Sequence, residues 1–251
     1  PHNTEGSGGY GDERYDDEFF WARAMLFREI CKGVESENVL NSSLKNLRDL
    51  IFVDMEKCPP SLGLDWRDTQ NLGWIALALQ SYDLDLQTKA RNALKTIADD
   101  IVRLASEDAY HLAIRRFVWG SNGDVANHAL TLFLVNSWAP SLVYVNCAKT
   151  MLDFIFGKNP VDRCFVTGSA WSSPKFLHHR ISHSDGIDEP VPGLVAGGIN
   201  ADRQDLHRFP HYPGPQPGFS YTDERVSFAS NETAINWNAP LVAALYFESY
   251  C

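Results

Sequence analysis

The stretch Leu86-Gln-Thr-Lys-Ala90-Arg-Asn-Ala-Leu94-Lys-Thr-Ile97-Ala98-Asp-Asp-Ile101-Val-Arg-Leu104 puts Leu94, Ile97, Ala98, Ile101 and Leu104 on one face of a helix, with Asp and Lys on the other. Working outward, the same spacing returns on both sides. Toward the N-terminus, Asp16 and Asp17 precede Trp21, Ala24, Met25 and Phe27 at helical intervals, and Lys32-Gly33 supplies a stop. Before Asp16 the chain is Gly-rich and polar and reads as loop. Two further helices are expected over about Ser43 to Phe52 and over Leu72 to Leu79. Toward the C-terminus, Tyr110 to Val118 alternates weakly and suggests a short extended segment. Trp119 to Asp124 reads as a turn, and Val125 to Val135 and Ser141 to Phe156 as helices. Asn159 to Ser230 is mostly loop, and a last helix is expected from near Asn238. About seven helices in antiparallel-looking succession predict an all-α domain. A loop region of that length inside a compact domain usually binds or catalyses.

At 251 residues the chain is long enough for one domain with a sizeable core. A net charge of -10 argues against nucleic acid or an anionic membrane as partner, and suits a neutral polymer such as a glycan. The 12% of aromatic residues would furnish ring-lined surface for one. No apolar run approaches the roughly 20 residues of a membrane span. The five cysteines, Cys31, Cys58, Cys147, Cys164 and Cys251, form no C-x-x-C pair, and isolated thiols in or near a helical core are expected.

The chemistry concentrates near the end, in Tyr221-Thr-Asp223 and Asn231-Glu232-Thr-Ala-Ile-Asn236-Trp237-Asn238-Ala-Pro240-Leu241. Glu232 falls where loop gives way to helix, next to amide and indole donors in sequence. Partial shielding there would raise a carboxylic acid's pKa toward neutrality, which suits a general acid. A solvated Glu in a first helical turn, favoured by the dipole, is the plain alternative.

That segment resembles the terminal signature of glycoside hydrolase family 9, the inverting cellulases. Gly157-Lys-Asn159-Pro160 with Phe165-Val-Thr167-Gly168 resembles the preceding signature. His178-His179-Arg180, Pro190-Val-Pro192-Gly193-Leu194 and Gly197-Gly198-x-Asn200 follow in the family's order, and Asp16-Asp17-Glu18-Phe-Phe-Trp21-Ala22 resembles its mid-domain helix motif. The resemblance implies an (α/α)6 barrel of twelve helices, of which this chain would be the C-terminal half or more. It implies hydrolysis of β-1,4 bonds in cellulose or related β-glucans, with Glu232 as general acid and no cofactor required for the chemistry. An exo-acting β-glucosidase or β-glucosaminidase of the same family, or a non-catalytic glycan-binding half-barrel, are the rivals.

Inversion needs a second carboxylate as base, about 6.5–9.5 Å from the first. The family carries it in an Asp-Ala-Gly-Asp-type loop near the start of the domain, and no such tetrapeptide occurs here. The base is therefore expected on an N-terminal segment or chain outside these residues. Asp223 matches a family carboxylate close to the active centre and takes a supporting role by resemblance; an Asx-type turn residue is the alternative. His178 and Arg180 carry over as ligands of the reacting sugar, although Leu177 stands where the family usually has Pro. Trp119 aligns with a stacking tryptophan and Trp237 with a ring close to the acid, while core packing is the commoner fate of a lone Trp. Trp66 and Trp171 are weaker candidates.

Metal binding has two candidate places. His178, His179 and His183 offer ligand types, but adjacent histidines seldom converge on one ion. By resemblance, Asp17, Glu18 and Asp68 are candidate ligands of a structural calcium, with helix capping by Asp16 and Asp17 as the alternative. The run Phe209-Pro-His-Tyr-Pro-Gly-Pro-Gln-Pro-Gly218 looks like an insertion, either walling one end of a cleft or contacting the missing segment. A secreted or periplasmic location follows from the resemblance alone.

Overall fold

The computed structural model describes residues 11–32 and 42–251. These fall into two compact units, divided between Ala93 and Leu94. The Gly-rich opening through residue 10 and the stop at Gly33 lie outside the described residues.

In the first unit, α1 (Asp16–Cys31) packs on α2 (Ser42–Lys57) and more extensively on α3 (Gln70–Leu79). Phe20, Ala24, Phe27 and Cys31 recur four and three apart along α1 and are almost wholly buried. Trp74 of α3 meets Phe20 edge-on at 5.6 Å, and its indole N–H donates to the Cys58 carbonyl at 2.8 Å. A Cβ on Gly73 would stand 2.8 Å from the Phe20 ring, so glycine is what lets these two helices approach. Asp16 and Asp17 are not caps. Tyr15 holds that position without a side-chain bond, and the acids sit inside the first turn, where the dipole favours them.

Helix α4 (Leu84–Ser106) runs two residues beyond the expected stretch at each end and carries the chain into the second unit. There Asp99 takes bonds from Lys95 at 2.7 Å and from the Tyr144 hydroxyl of α6 (Leu142–Phe156). Helix α5 (Ser121–Asn136) packs against α6 and against α9 (Ile235–Glu248), and is buried on nearly every side. Only residues 137–141 join α5 to α6, so the two run antiparallel. Two short helices, α7 (Arg180–Ser184) and α8 (Phe228–Asn231), interrupt the long loop region.

Among the described residues the seven long helices are those the periodicity predicts, with three local differences. Tyr110 to Val118 is irregular, not extended: the Asp108 carboxylate accepts the Tyr110 and Leu112 N–H groups, and His111 takes a φ of 55°, which breaks any strand. Helix α5 begins at Ser121, inside the expected turn, because Gly120 reverses the chain at φ 83° and helix follows at once. Helix α9 begins at Ile235, earlier than expected, and accommodates Pro240 within it. Among the described residues no strand forms, only the bridges Val166 with Val195 and His178 with Glu232. All five cysteines are free, three of them buried, and burial pushes the Cys147 thiol up to about 11.

Candidate active site

Glu232 lies in extended backbone between α8 and α9. Loops grip it from both sides. The Gly197 N–H donates to the Glu232 carbonyl at 2.7 Å, and the His178 N–H donates to the Asn231 carbonyl at 2.9 Å. The Trp119 indole N–H donates to Glu232 Oε2 at 3.2 Å. Burial pushes the Glu232 carboxyl above the usual Glu range; the Trp119 bond and the nearby His178 offset part of that rise. A half-buried carboxylic acid with one neutral donor fits a proton donor better than a solvated surface residue.

Around it stands an aromatic cluster centred on Phe228. Its ring lies 5.4 Å from Trp119, 6.2 Å from His178 and 5.9 Å from His207. His178 Nδ1 donates to the Arg225 carbonyl at 2.8 Å, since that oxygen can only accept, which leaves Nε2 for a ligand. Arg180 is exposed at the first position of α7. His179 turns away to a structural role, its Nδ1 accepting the Ser182 N–H and capping α7. Among the described residues no three His, Cys, Asp or Glu side chains are placed to hold a metal ion, so His178, His179 and His183 do not converge.

Asp223 acts across the loops, not as an Asx turn. One oxygen accepts the Lys175 N–H at 2.7 Å; the other accepts the Phe176 N–H at 2.9 Å and Asn231 Nδ2 at 3.1 Å. Asn231 is held again by the buried Tyr221, whose hydroxyl donates to its Oδ1 at 2.9 Å, and donates itself to the Phe176 carbonyl. Asp223 therefore fixes the segment running into His178 and the residue just before Glu232.

Trp119 and Trp237 stand differently in the structure. The Trp237 indole fills a slot between glycines: a Cβ on Gly120 or Gly123 would lie 2.5 Å from it, and one on Gly197 3.1 Å. Its ring thus braces the turn that presents Trp119. The Asn122 amide donates to the Ala196 carbonyl and the Ser121 hydroxyl to the Ile199 carbonyl, tying the start of α5 to the Gly197-Gly198 loop. A Cβ on Gly198, at φ 92°, would meet the Asn122 amide at 2.5 Å. Among the weaker candidates, Trp171 is 87% exposed and bare of ring partners among the described residues; Trp66 lies in the first unit, under the Arg67 guanidinium.

Asp205 and Phe228 carry no local sequence signal. Asp205 is fully buried and accepts the Tyr212 hydroxyl at 2.7 Å, the Ser227 hydroxyl at 2.8 Å and the Ala229 N–H at 3.1 Å, which anchors α8. Tyr212 belongs to the Pro-Gly run, so that run is moored to the segment bearing the acid.

In the first unit, Asp17 Oδ2 accepts the Thr69 N–H at 2.8 Å and hydroxyl at 3.1 Å. Asp12 Oδ2, Asp17 Oδ1, Glu18 Oε2 and Asp68 Oδ1 are buried without a hydrogen-bond partner. Burial, with the charges of Asp17 and Asp12 adding to it, pushes the Glu18 carboxyl up. For Asp17, burial is outweighed by the Thr69 donors and the net direction is down. Orphaned carboxylate oxygens are the donor chemistry of a hard cation, although among the described residues no three converge on one point as the side chains stand.

This geometry can be set beside known proteins. The family model for glycosyl hydrolase family 9 matches residues 1–245. A xyloglucan-specific endo-beta-1,4-glucanase of Bacteroides ovatus is 34% identical over 248 residues, covering 94% of this chain and 39% of its own. A cellodextrinase of Butyrivibrio fibrisolvens is 31% identical, covering 97% of this chain and 46% of its own. The crystal structure of the family 9 endoglucanase J30 superposes with a TM-score of 0.83 at 28% identity, over 98% of this chain and 45% of that one. Such solved enzymes are (α/α)6 barrels, and this chain spans less than half the length of each of these relatives. The chain belongs to glycosyl hydrolase family 9.

Proposed function

We propose that this chain is the C-terminal portion of a single catalytic domain that hydrolyses β-1,4 bonds of a β-glucan with inversion, Glu232 being the general acid. The observation that carries the reading is the half-buried Glu232 carboxyl, held by the Trp119 indole beside His178, with its pKa raised by burial. In the neutral form it hands its proton to the glycosidic oxygen as that bond breaks. His178 Nε2 and Arg180 bind the hydroxyls of the reacting sugar, and the Trp119 ring packs on its apolar face. Trp237 supports that ring from behind.

The base lies on a segment outside these 251 residues. We assign Asp223 to positioning and not to this role, because its two oxygens already accept three N–H groups, from Lys175, Phe176 and Asn231. The missing segment is thus the chain's necessary partner, and the enzyme works outside the cytoplasm. The test is the anomeric configuration of the first product released from cellotetraose by the full-length protein, followed by proton NMR. The α-anomer is expected, and an initial β-anomer would overturn the mechanism.

A structural calcium ion at Asp17, Glu18 and Asp68 is part of the proposal, with Asp12 as a fourth donor. Their four orphaned oxygens are donors of the right kind, and the side chains would have to turn to bring them onto one ion. The ion would neutralise clustered negative charge at the start of α1 and takes no part in bond cleavage.

A further inference from the structure

A cavity of about 550 Å³ opens where the loop after α4 meets the end of α6. Its wall includes Tyr110, His111, Thr150, Lys158, Asn159 and Asp162. None of these contributes to the site around Glu232. The volume falls within the roughly 300–1,000 Å³ of small-molecule sites. Its place in the fold follows from the helices. Because α5 and α6 are antiparallel, the end of α6 stands at the same end of the pair as the start of α5, where Trp119 and Glu232 are.

The lining combines an aromatic plane with hydrogen-bonding groups of both signs. Tyr110 is 40% exposed, yet its orientation is fixed by edge-on contact with Phe154 at 6.0 Å, and Phe154 is itself stacked on Phe117 at 6.1 Å. A ring held this way loses little freedom on meeting a ligand. His111 Nδ1 donates to the Ala105 carbonyl at 3.3 Å, leaving Nε2 as an acceptor. Lys158 is 75% exposed in its side chain and shares its charge with Asp153 at 2.7 Å, which leaves further N–H donors. Asp162 adds a carboxylate. Two of the four non-glycine residues with positive φ among the described residues line this one cavity, His111 at 55° and Asp162 at 52°. Left-handed backbone is uncommon for residues other than glycine, and where it occurs it gathers at ligand-binding and active sites more than elsewhere.

We propose that this cavity is a second saccharide site, taking one or two units of a neutral β-glucan at the rim of the face that bears Glu232. A polyhydroxyl ring fits it because Tyr110 supplies the apolar plane and Lys158, Asp162 and His111 supply donor and acceptor groups together. The inference rests on the proposed substrate class but not on the catalytic assignment of Glu232. It would let the enzyme hold a long chain while a distant bond is cut.

The test uses the full-length protein with Tyr110→Ala and, separately, Asp162→Gly, which suits the positive φ and removes only the carboxylate. Hydrolysis of cellotetraose should stay at the parent level in both. Affinity for a long soluble β-glucan, measured by titration in an E232Q background, should fall about fivefold, the scale of one lost ring contact. Unchanged polymer affinity in both variants would overturn the proposal. If Tyr110→Ala fails to fold, Asp162→Gly decides alone, weakened polymer binding supporting the site and parent-level binding refuting it. Full-length protein that binds β-glucan at this cavity but cuts none would refute the catalytic reading and leave the second site standing.

Discussion

Asp223→Asn separates a positioning carboxylate from a catalytic one. In the parent protein one oxygen accepts from Lys175 and the other from Phe176 and Asn231. An asparagine keeps one carbonyl oxygen, enough for two of these donors, and turns an N–H group toward the third. The loss is one hydrogen bond to a charged group, worth about 1.5–3 kcal/mol, with donor facing donor in its place. Asp223 is half-exposed, so solvent screening favours the lower end. If that energy is felt where His178 and Glu232 meet substrate, kcat/KM falls about ten- to hundredfold. Most of the fall should be in kcat, because the clamp aligns the acid and does not touch substrate. The assay is hydrolysis of cellotetraose by full-length protein, with and without azide as a small external nucleophile. A loss beyond about ten-thousandfold that azide restores would make Asp223 the base and refute the reasoning. Parent-level kinetics would show that the clamp is not needed.

Three further outcomes are expected. Trp119→Phe removes the donor that lowers the Glu232 pKa, so the alkaline limb of the kcat/KM profile should move up in pH while the maximum falls; a downward move would contradict the assigned bond. Gly120→Ala meets both the left-handed backbone penalty of about 1–2 kcal/mol and overpacking of about 1–3 kcal/mol against Trp237, and should destabilise by about 2–5 kcal/mol in urea denaturation; less than about 1 kcal/mol would mean the slot is not tight. Chelation should lower the thermal midpoint, restored by calcium. The raised Glu18 carboxyl holds its proton more firmly folded than unfolded, so in chelator its contribution is full below its ordinary value of 4.5 and is lost as pH rises through its folded value. Calcium should abolish that decline, and a midpoint indifferent to chelator and calcium would count against the ion.

What could be read in the sequence divides along physical lines. Long amphipathic helices announce themselves, since burial of one face dictates spacing, and α4 shows this with Leu94, Ile97, Ile101 and Leu104. Helix starts are harder to place. Ser121 and Asn122 look like turn residues, yet both are fully buried because their side chains bond carbonyls some 75 residues away. Glu232 is legible through the motif around it. Its indole partner is not: the neighbour in sequence, Trp237, is the brace, and the donor is Trp119, 113 residues earlier and just before α5. Asp205 is illegible for a similar reason. Its donors come from Tyr212, Ser227 and Ala229, and nothing in Ala-Asp-Arg-Gln-Asp marks the last acid as buried. Local pattern fixes elements, whereas the polar ties between loops depend on how those elements meet.

The central claim is that Glu232 is the proton donor, and Glu232→Gln tests it most directly. Glutamine keeps an oxygen to accept the Trp119 N–H but has no acidic proton to give. Hydrolysis of cellotetraose by the full-length protein should fall by at least about a thousandfold, with binding of the same oligosaccharide within about twofold of the parent. Turnover near the parent level would contradict the account.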